Sequence, residues 1–90
     1  MKPYTDVFKK PLDKNEVAGV VKEILRAKNP TTSFIARRFK WGYGKAMAIL
    51  MLLDDAGVIS PAMRGRRTII LTEPDAAINA ALRQLKKGQK

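Results

Sequence analysis

The sequence predicts an α+β fold, mainly α, with a three-helix core, a β-hairpin wing and an added C-terminal helix. Its central stretch, 43–56, contains no proline and is rich in Ala, Leu and Met, which favour a helix. Gly57 follows where helices commonly end in a left-handed residue, and Gly42 precedes the stretch where an earlier helix would turn. Two β-rich runs, Val58-Ile59-Ser60 and Thr68-Ile69-Ile70-Leu71, then flank a basic loop. This order of elements is typical of a winged helix-turn-helix.

The first helix is predicted to begin after Asp13 and to end at Lys28-Asn29-Pro30. Asp13 at the N-cap, with Glu16 three residues later, is similar to a capping box. The helix ends at the proline because the residue before a proline resists the helical conformation. Apolar residues recur between these limits at helical spacing and form one stripe for the core: Val17, Val20, Val21, Ile24 and Leu25.

A short second helix is predicted over 34–39, or to residue 40, with Ser33 as its N-cap and Thr31-Thr32 as a short strand before it. The last helix is predicted over 76–87, because a threonine cap, a proline in the first turn and two acidic residues mark its start. The chain then divides into an N-terminal arm (1–11), a winged-helix domain (12–72), a C-terminal helix (73–87) and a tail (88–90).

The composition excludes several kinds of site. The 90 residues include no cysteine and no histidine, which removes disulfides, thiolate metal sites and the commonest general base. The adjacent carboxylates Asp54 and Asp55 would point about 100° apart on a helix, so they do not form a catalytic pair. We therefore expect no enzyme, no cofactor, no metal site and no small-molecule substrate. No apolar run reaches the ~18 residues of a membrane span, and the N-terminus lacks a signal-peptide core, which predicts a cytoplasmic protein.

Positive charge dominates the chain. Eighteen Lys and Arg residues against eight Asp and Glu give a net charge of +10, as expected for a domain that binds a polyanion. No acidic residue lies between Glu23 and Asp54, and none between Asp55 and Glu73. A generic solvated surface is the alternative. The candidate DNA-binding residues lie around the predicted helix-turn-helix and in the hairpin loop: Arg37, Arg38, Lys40, Lys45, Arg64, Arg66 and Arg67.

The central helix has a predicted core side and an opposite face centred on Gly44, Ala48, Met51 and Asp55. This face should enter the DNA groove, yet it holds no Arg, Lys, Asn or Gln, the residues that make most base contacts. The alternative is a protein-interaction module, a homodimer or a partner binder, that kept the fold and lost base readout. The C-terminal helix would then join the interface, or fold back and cover the apolar face. The candidate apolar interface comprises Met47, Ala48, Met51, Leu52, Ile78, Leu82 and Leu85.

Two segments carry a family resemblance. Residues 33–46 read SFIARRFKWGYGKA, and residues 54–60 read DDAGVIS. With these motifs, and over about 11–71, the chain resembles the C-terminal gamma domain of FtsK/SpoIIIE-type DNA translocases. Trp41 and Tyr43, inside the first motif, are expected either to stack on DNA or to pack in the core.

The resemblance implies a winged helix that binds short polar DNA sequences in more than one copy. In the family, an Asn, an Arg and a Glu read the bases at the positions of Gly44, Ala48 and Met51, while a basic residue is retained at Lys45. The resemblance therefore implies double-stranded DNA as the partner, and the three replaced positions imply low or altered sequence specificity. The chain has no G-x-x-x-x-G-K-[ST] phosphate loop. We expect a free-standing protein without a motor, of a kind carried by phages or plasmids, at the nucleoid or in a host cytoplasm.

Overall fold

A computed structural model describes residues 12–62 and 66–88. Within these ranges the chain has four helices: α1 Lys14–Ala27, α2 Thr32–Phe39, α3 Tyr43–Asp55 and α4 Pro74–Gly88. Helix α2 packs against α3, and α4 packs against both α1 and α3. The described residues form no β-strand, so their fold is all-α, and the α+β class predicted from the sequence is wrong. The predicted N-terminal arm lies outside the described residues.

In place of the predicted hairpin wing, the described residues show isolated bridge positions and no strands, among them the antiparallel bridge between Ile59 and Ile69. The Ser60 N–H donates to the Thr68 carbonyl at 2.8 Å. The Thr68 N–H, however, donates to the Ser60 hydroxyl at 2.8 Å and not to the Ser60 carbonyl. A side chain thus takes the place of a ladder bond, and regular strand pairing does not develop around the bridge.

Two further features stop the ladder at this point. The Ser60 carbonyl accepts a hydrogen bond from the Arg67 guanidinium at 3.0 Å. Pro61, the next residue, has no N–H to donate to a neighbouring strand. The predicted turn at Gly65, with Arg64 beside it, lies outside the described residues. High β propensity on both runs was therefore insufficient to make strands.

The helix starts follow short polar side chains. Asp13 caps α1 as predicted, and its carboxylate accepts from the Asn15 N–H at 2.8 Å. The predicted cap of α2 is corrected, because Thr31 and not Ser33 has the extended backbone of an N-cap. The Thr31 hydroxyl accepts from the Phe34 N–H at 3.2 Å. The helix consequently starts earlier, and the predicted short strand before it becomes its cap and first turn.

The connections on both sides of α3 use left-handed residues. Gly57, after α3, has a φ of 80°, as predicted for a helix stop. Before α3, the left-handed residue is Lys40, with a φ of 57° at the end of α2. Gly42 has an ordinary φ of −69° and is the N-cap of α3. The turn between α2 and α3 is therefore made by a lysine whose side chain remains exposed.

The core lies between α1, α3 and α4, so the added C-terminal helix is part of the fold. Ala77, Ala81 and Leu85 of α4 are buried in one cluster with the apolar residues of α1 and α3. None of the helices in the described ranges is long and apolar enough to cross a membrane. The largest side chains that are fully buried come from α1, α2, α3 and the segment after Gly57: Val17, Val20, Val21, Ile24, Ile35, Ile49, Leu50, Leu52, Leu53, Val58 and Ile59.

Candidate nucleic-acid interface

One stripe of α3 is open to solvent, although the helix is apolar on most sides. Tyr43 is 56% exposed and Met47 is 48% exposed, whereas Ala48 and Leu52 are fully buried. At about 100° per residue, the centre of this stripe lies roughly 75° from the centre of the predicted groove-facing side. Ala48 and Leu52 therefore belong to the core. We call the accessible residues of α3 that lie on the side of α2 the open stripe: Tyr43, Met47, Met51 and Asp54. Gly44 and Asp55, beside the stripe on α3, are exposed as well.

The open stripe lines a groove of about 630 Å³ between α3 and the first turn of α2. Met47 and Met51 line it from α3, and Thr32 and Ser33 line it from α2. A hydrogen bond between the Ser33 and Tyr43 hydroxyls ties the two helices together at the edge of the stripe. The groove thus combines thioether side chains, which suit an apolar group such as a thymine methyl, with hydroxyls that bond phosphates or base edges.

Arg67 lines the same groove and is held by α3. Its guanidinium donates to Asp54 Oδ2 at 3.2 Å and to the Ser60 carbonyl at 3.0 Å. The Arg67 side chain is only 16% exposed. Arg67 is therefore a brace between α3 and the segment that follows it, and its charge is partly neutralised before any ligand arrives.

Lys45 is also engaged within the protein. Its Nζ lies 2.7 Å from Glu16 Oε2 of α1 and 4.3 Å from the centroid of the Trp41 ring. Trp41 in turn stacks on Phe39, with ring centroids 4.7 Å apart. Trp41 therefore packs on protein side chains, while Tyr43 is the aromatic residue that the structure leaves accessible.

Arg38 shares one carboxylate with Arg26. Arg26 Nη2 lies 2.8 Å and Arg38 Nε 3.0 Å from Glu23 Oε1. The hydrogen bond from Arg26 is the main reason that the pKa of Glu23 falls below its usual value, and the bond from Arg38 adds to it. The same contact with Glu23 raises the pKa of Arg26. This exposed cluster is a weak but real competitor for any phosphate that approaches Arg38.

Arg37 and Lys40 differ from these paired cations. Both are exposed, and neither has an ion-pair partner within 12–62 and 66–88. Arg66 is exposed as well, and Arg64 lies outside the described residues. The sequence showed a long stretch without acids around these cations, but α1 supplies carboxylates to Lys45 across the fold. Sequence spacing carried no signal for that pairing, nor for the hydroxyls at the start of α2.

The candidate apolar interface is split by the fold. Ile78 and Leu82 are partly buried against the core, and Leu85 is only 4% exposed. These α4 residues therefore stabilise the fold. Met47 keeps 48% of its surface exposed and Met51 is half-buried, so packing of α4 does not close the open stripe. Within the described residues, no group of Asp and Glu side chains is arranged to hold a metal ion.

A model of the FtsK gamma domain family matches residues 14–72, which is more than half of the chain. Curated relatives include the proteins named DNA translocase FtsK from Brucella melitensis biotype 1 and Brucella suis biovar 1, each 38% identical over 53 residues. These alignments cover 58% of this chain but only 6% of each translocase. No solved structure gives a significant match. The family match covers α1, α2 and α3 and stops before α4, and on this match the chain belongs to the FtsK gamma domain family.

Proposed function

We propose that this chain binds double-stranded DNA through the open stripe of α3 and the first turn of α2. One observation carries the proposal: a helix that buries most of its surface keeps one stripe accessible, beside the helix that precedes it across a short turn. That arrangement fits entry of a helix into the major groove. The net charge of +10 and the relatives named DNA translocases support the same ligand. The role is binding without catalysis.

Arg37 and Lys40 supply the first backbone contacts in this proposal, because they are exposed and no carboxylate of the described residues pairs with them. Arg38, Lys45 and Arg67 contribute less, since each would have to share or leave a carboxylate to reach a phosphate. Arg66, and Arg64 outside the described residues, complete the contacts expected from the sequence.

Base discrimination should be weak. The open stripe presents methionine side chains and a tyrosine, and no guanidinium or amide that could form a bidentate pair with a base. Asp54 is the acceptor that could bond cytosine, but Arg67 already holds its carboxylate. The proposal is therefore backbone binding with low or altered sequence preference, the preference arising from apolar contact of Met47 with thymine methyl groups.

The experiment is a titration of a random-sequence duplex at several salt concentrations, with Arg37→Gln compared to Arg38→Gln. Both variants remove one charge from adjacent positions of α2, and of the two arginines only Arg38 has an ion-pair partner among the described residues. Each lost phosphate contact flattens the dependence of log K on log salt by about 0.9. We expect a slope change near that value for Arg37→Gln and a smaller one for Arg38→Gln. Absence of wild-type binding at ~50 mM salt would remove the proposal.

A homodimer is the second candidate, favoured by the exposure of large apolar side chains. Tyr43, Met47 and Ile70 are each about half exposed, at 56%, 48% and 54%. In this reading the open stripe meets a second copy, and α3 cannot enter a DNA groove. Sedimentation equilibrium measures whether the protein is a dimer and whether Met47→Gln dissociates it. A dimer that this variant dissociates, together with no binding of duplex DNA at low salt, would support the homodimer interface over the DNA site.

A further inference from the structure

The last turns of α4 lie beside the start of α1. Leu82, Leu85 and Lys86 of α4 line a groove of about 400 Å³ together with Leu12 and Lys14. At the other end of α1, the chain leading into α4 lies near the last residues of α1, where both line another groove. The two helices are therefore antiparallel, and the C-terminal turn of α4 meets the N-terminal turn of α1.

The start of α3 lies at this same end of the molecule. The ion pair between Lys45 in the first turn of α3 and Glu16 in the first turn of α1 places the two helix starts side by side. The turn between α2 and α3, with the exposed Lys40, is directly connected to it. The end of α4 thus lies close to the start of α3, on the side of α3 that carries Lys45.

This end of the molecule carries four exposed cations, which we call the basic end: Lys14, Arg83, Lys86 and Lys87. None of them has an ion-pair partner among the residues that the structure describes, unlike Lys45. Asp13, next to Lys14 in sequence, accepts the capping hydrogen bond at the start of α1, and Glu16 is paired with Lys45.

The helix dipole accounts for only part of this distribution. Cations in the last turn of α4 are favoured by the dipole of that helix, so they alone would indicate nothing about a ligand. Lys14, however, is the first residue of α1, where the dipole disfavours a positive charge. Lys14 and Lys86 line the same groove, so two like charges share this end of the molecule, which favours an anionic ligand there.

We propose that the basic end is a second backbone-contact site for duplex DNA, which extends the footprint beyond the open stripe. The inference depends on the proposed function, because the same duplex must reach both surfaces. The longest dimension of the molecule is 29 Å, which matches about 8 base pairs at 3.4 Å per pair. The contact comes mainly from α4, which the family match does not include. Most of the basic end therefore lies outside the part of the chain that the family match covers.

The test compares Lys86→Gln/Lys87→Gln with Lys22→Gln/Lys28→Gln on the full chain. Both double variants lower the net charge by the same amount at exposed positions. Lys22 lies on α1 and Lys28 caps the C-terminal end of α1, so the second pair lies away from the basic end. Circular dichroism establishes that both fold. Loss of two phosphate contacts should flatten the salt slope by about 1.8, so affinity would fall about tenfold less between ~50 and ~200 mM salt. We expect this for the α4 variant and an unchanged slope for the control.

Three outcomes overturn the inference and are distinguishable. Equal slopes for wild type and the α4 variant, with wild-type binding intact, refute the basic end and leave the proposed function standing. Equal flattening in both double variants assigns the effect to net charge. A wild-type DNA slope, combined with loss of binding to vesicles that contain anionic lipid, would assign the basic end to a membrane surface. If wild type does not bind duplex at all, the proposed function itself fails.

Discussion

Replacing Asp54 with Asn should destabilise the protein by about 1 kcal/mol relative to replacing its neighbour Asp55. At 3.2 Å and an effective dielectric constant of about 20, the gross attraction between Arg67 and Asp54 is about 5 kcal/mol. Burial of the two side chains, which are 16% and 29% exposed, and their ordering offset most of it. Arg67 would keep its bond to Ser60 but lose its hold on α3.

Asp55→Asn is a matched control because both aspartates lie in the last turn of α3. Each substitution removes a negative charge that the helix dipole disfavours there, a gain of about 0.3–1 kcal/mol that cancels in the comparison. Asp55 is exposed and has no ion-pair partner within the described ranges. The difference between the two variants therefore isolates the brace.

Thermal unfolding followed by circular dichroism measures this difference. For a domain of this size, about 1 kcal/mol corresponds to a Tm difference of about 4–8 °C, with Asp54→Asn melting lower. The difference should shrink in ~1 M salt, which screens a partly exposed pair. Equal melting temperatures, within about 1 °C, would show that the brace contributes no stability and that the reasoning is wrong.

Three other comparisons test the fold and its pH dependence. Gly57→Ala should lower the free energy of unfolding by about 1–2 kcal/mol, because Gly57 has a left-handed backbone. Gly42→Ala should leave it nearly unchanged, because Gly42 has a φ of −69° and no atom lies within 4 Å of the added Cβ. Urea unfolding midpoints measure the difference between the two variants. Leu52→Ala should cost about 2–5 kcal/mol and Met47→Ala under about 1 kcal/mol, and similar costs would contradict the placement of the open stripe. The folded-state pKa of Glu23 is lowered, so its stabilisation is present above the usual value of 4.5 and is lost as pH falls through the folded-state pKa. The stability advantage of wild type over Glu23→Gln should disappear there, and a pH-independent difference would refute this assignment.

Local patterns predicted the helices well because each signal acts within a few residues. The apolar stripe of α1 is buried as expected, Asp13 caps the helix, and Gly57 ends the α3 region in a left-handed conformation. The cap of α2 was misplaced because Thr31 and Ser33 both offer a suitable hydroxyl, and only the backbone decides between them. Ser33 is then free to bond Tyr43.

The candidate site was less predictable because it depends on contacts between distant residues. Lys45 and Glu16 are 29 positions apart, and no local pattern links them. The predicted groove-facing side of α3 is only partly accessible: Gly44 and Asp55 are exposed and Met51 is half-buried, but Ala48 lies in the core. A helix with apolar residues almost all round gives little indication of its exposed face. The prediction of a hairpin was wrong because side chains compete for the backbone groups that strand pairing needs. The Arg67 guanidinium bonds the Ser60 carbonyl, and the Ser60 hydroxyl bonds the Thr68 N–H.

The stack of Phe39, Trp41 and Lys45 gives the protein an optical property. Trp41 is the sole tryptophan of the sequence, so the indole emission of the protein comes from one ring. That ring lies between a second aromatic ring and an ammonium group, at the corner where α2 turns into α3. An anion that draws Lys45 away from the indole changes the charge next to the fluorophore and hence its emission. The emission of Trp41 would therefore report the binding of an anion at the turn between α2 and α3, without any label attached to the protein or to its ligand.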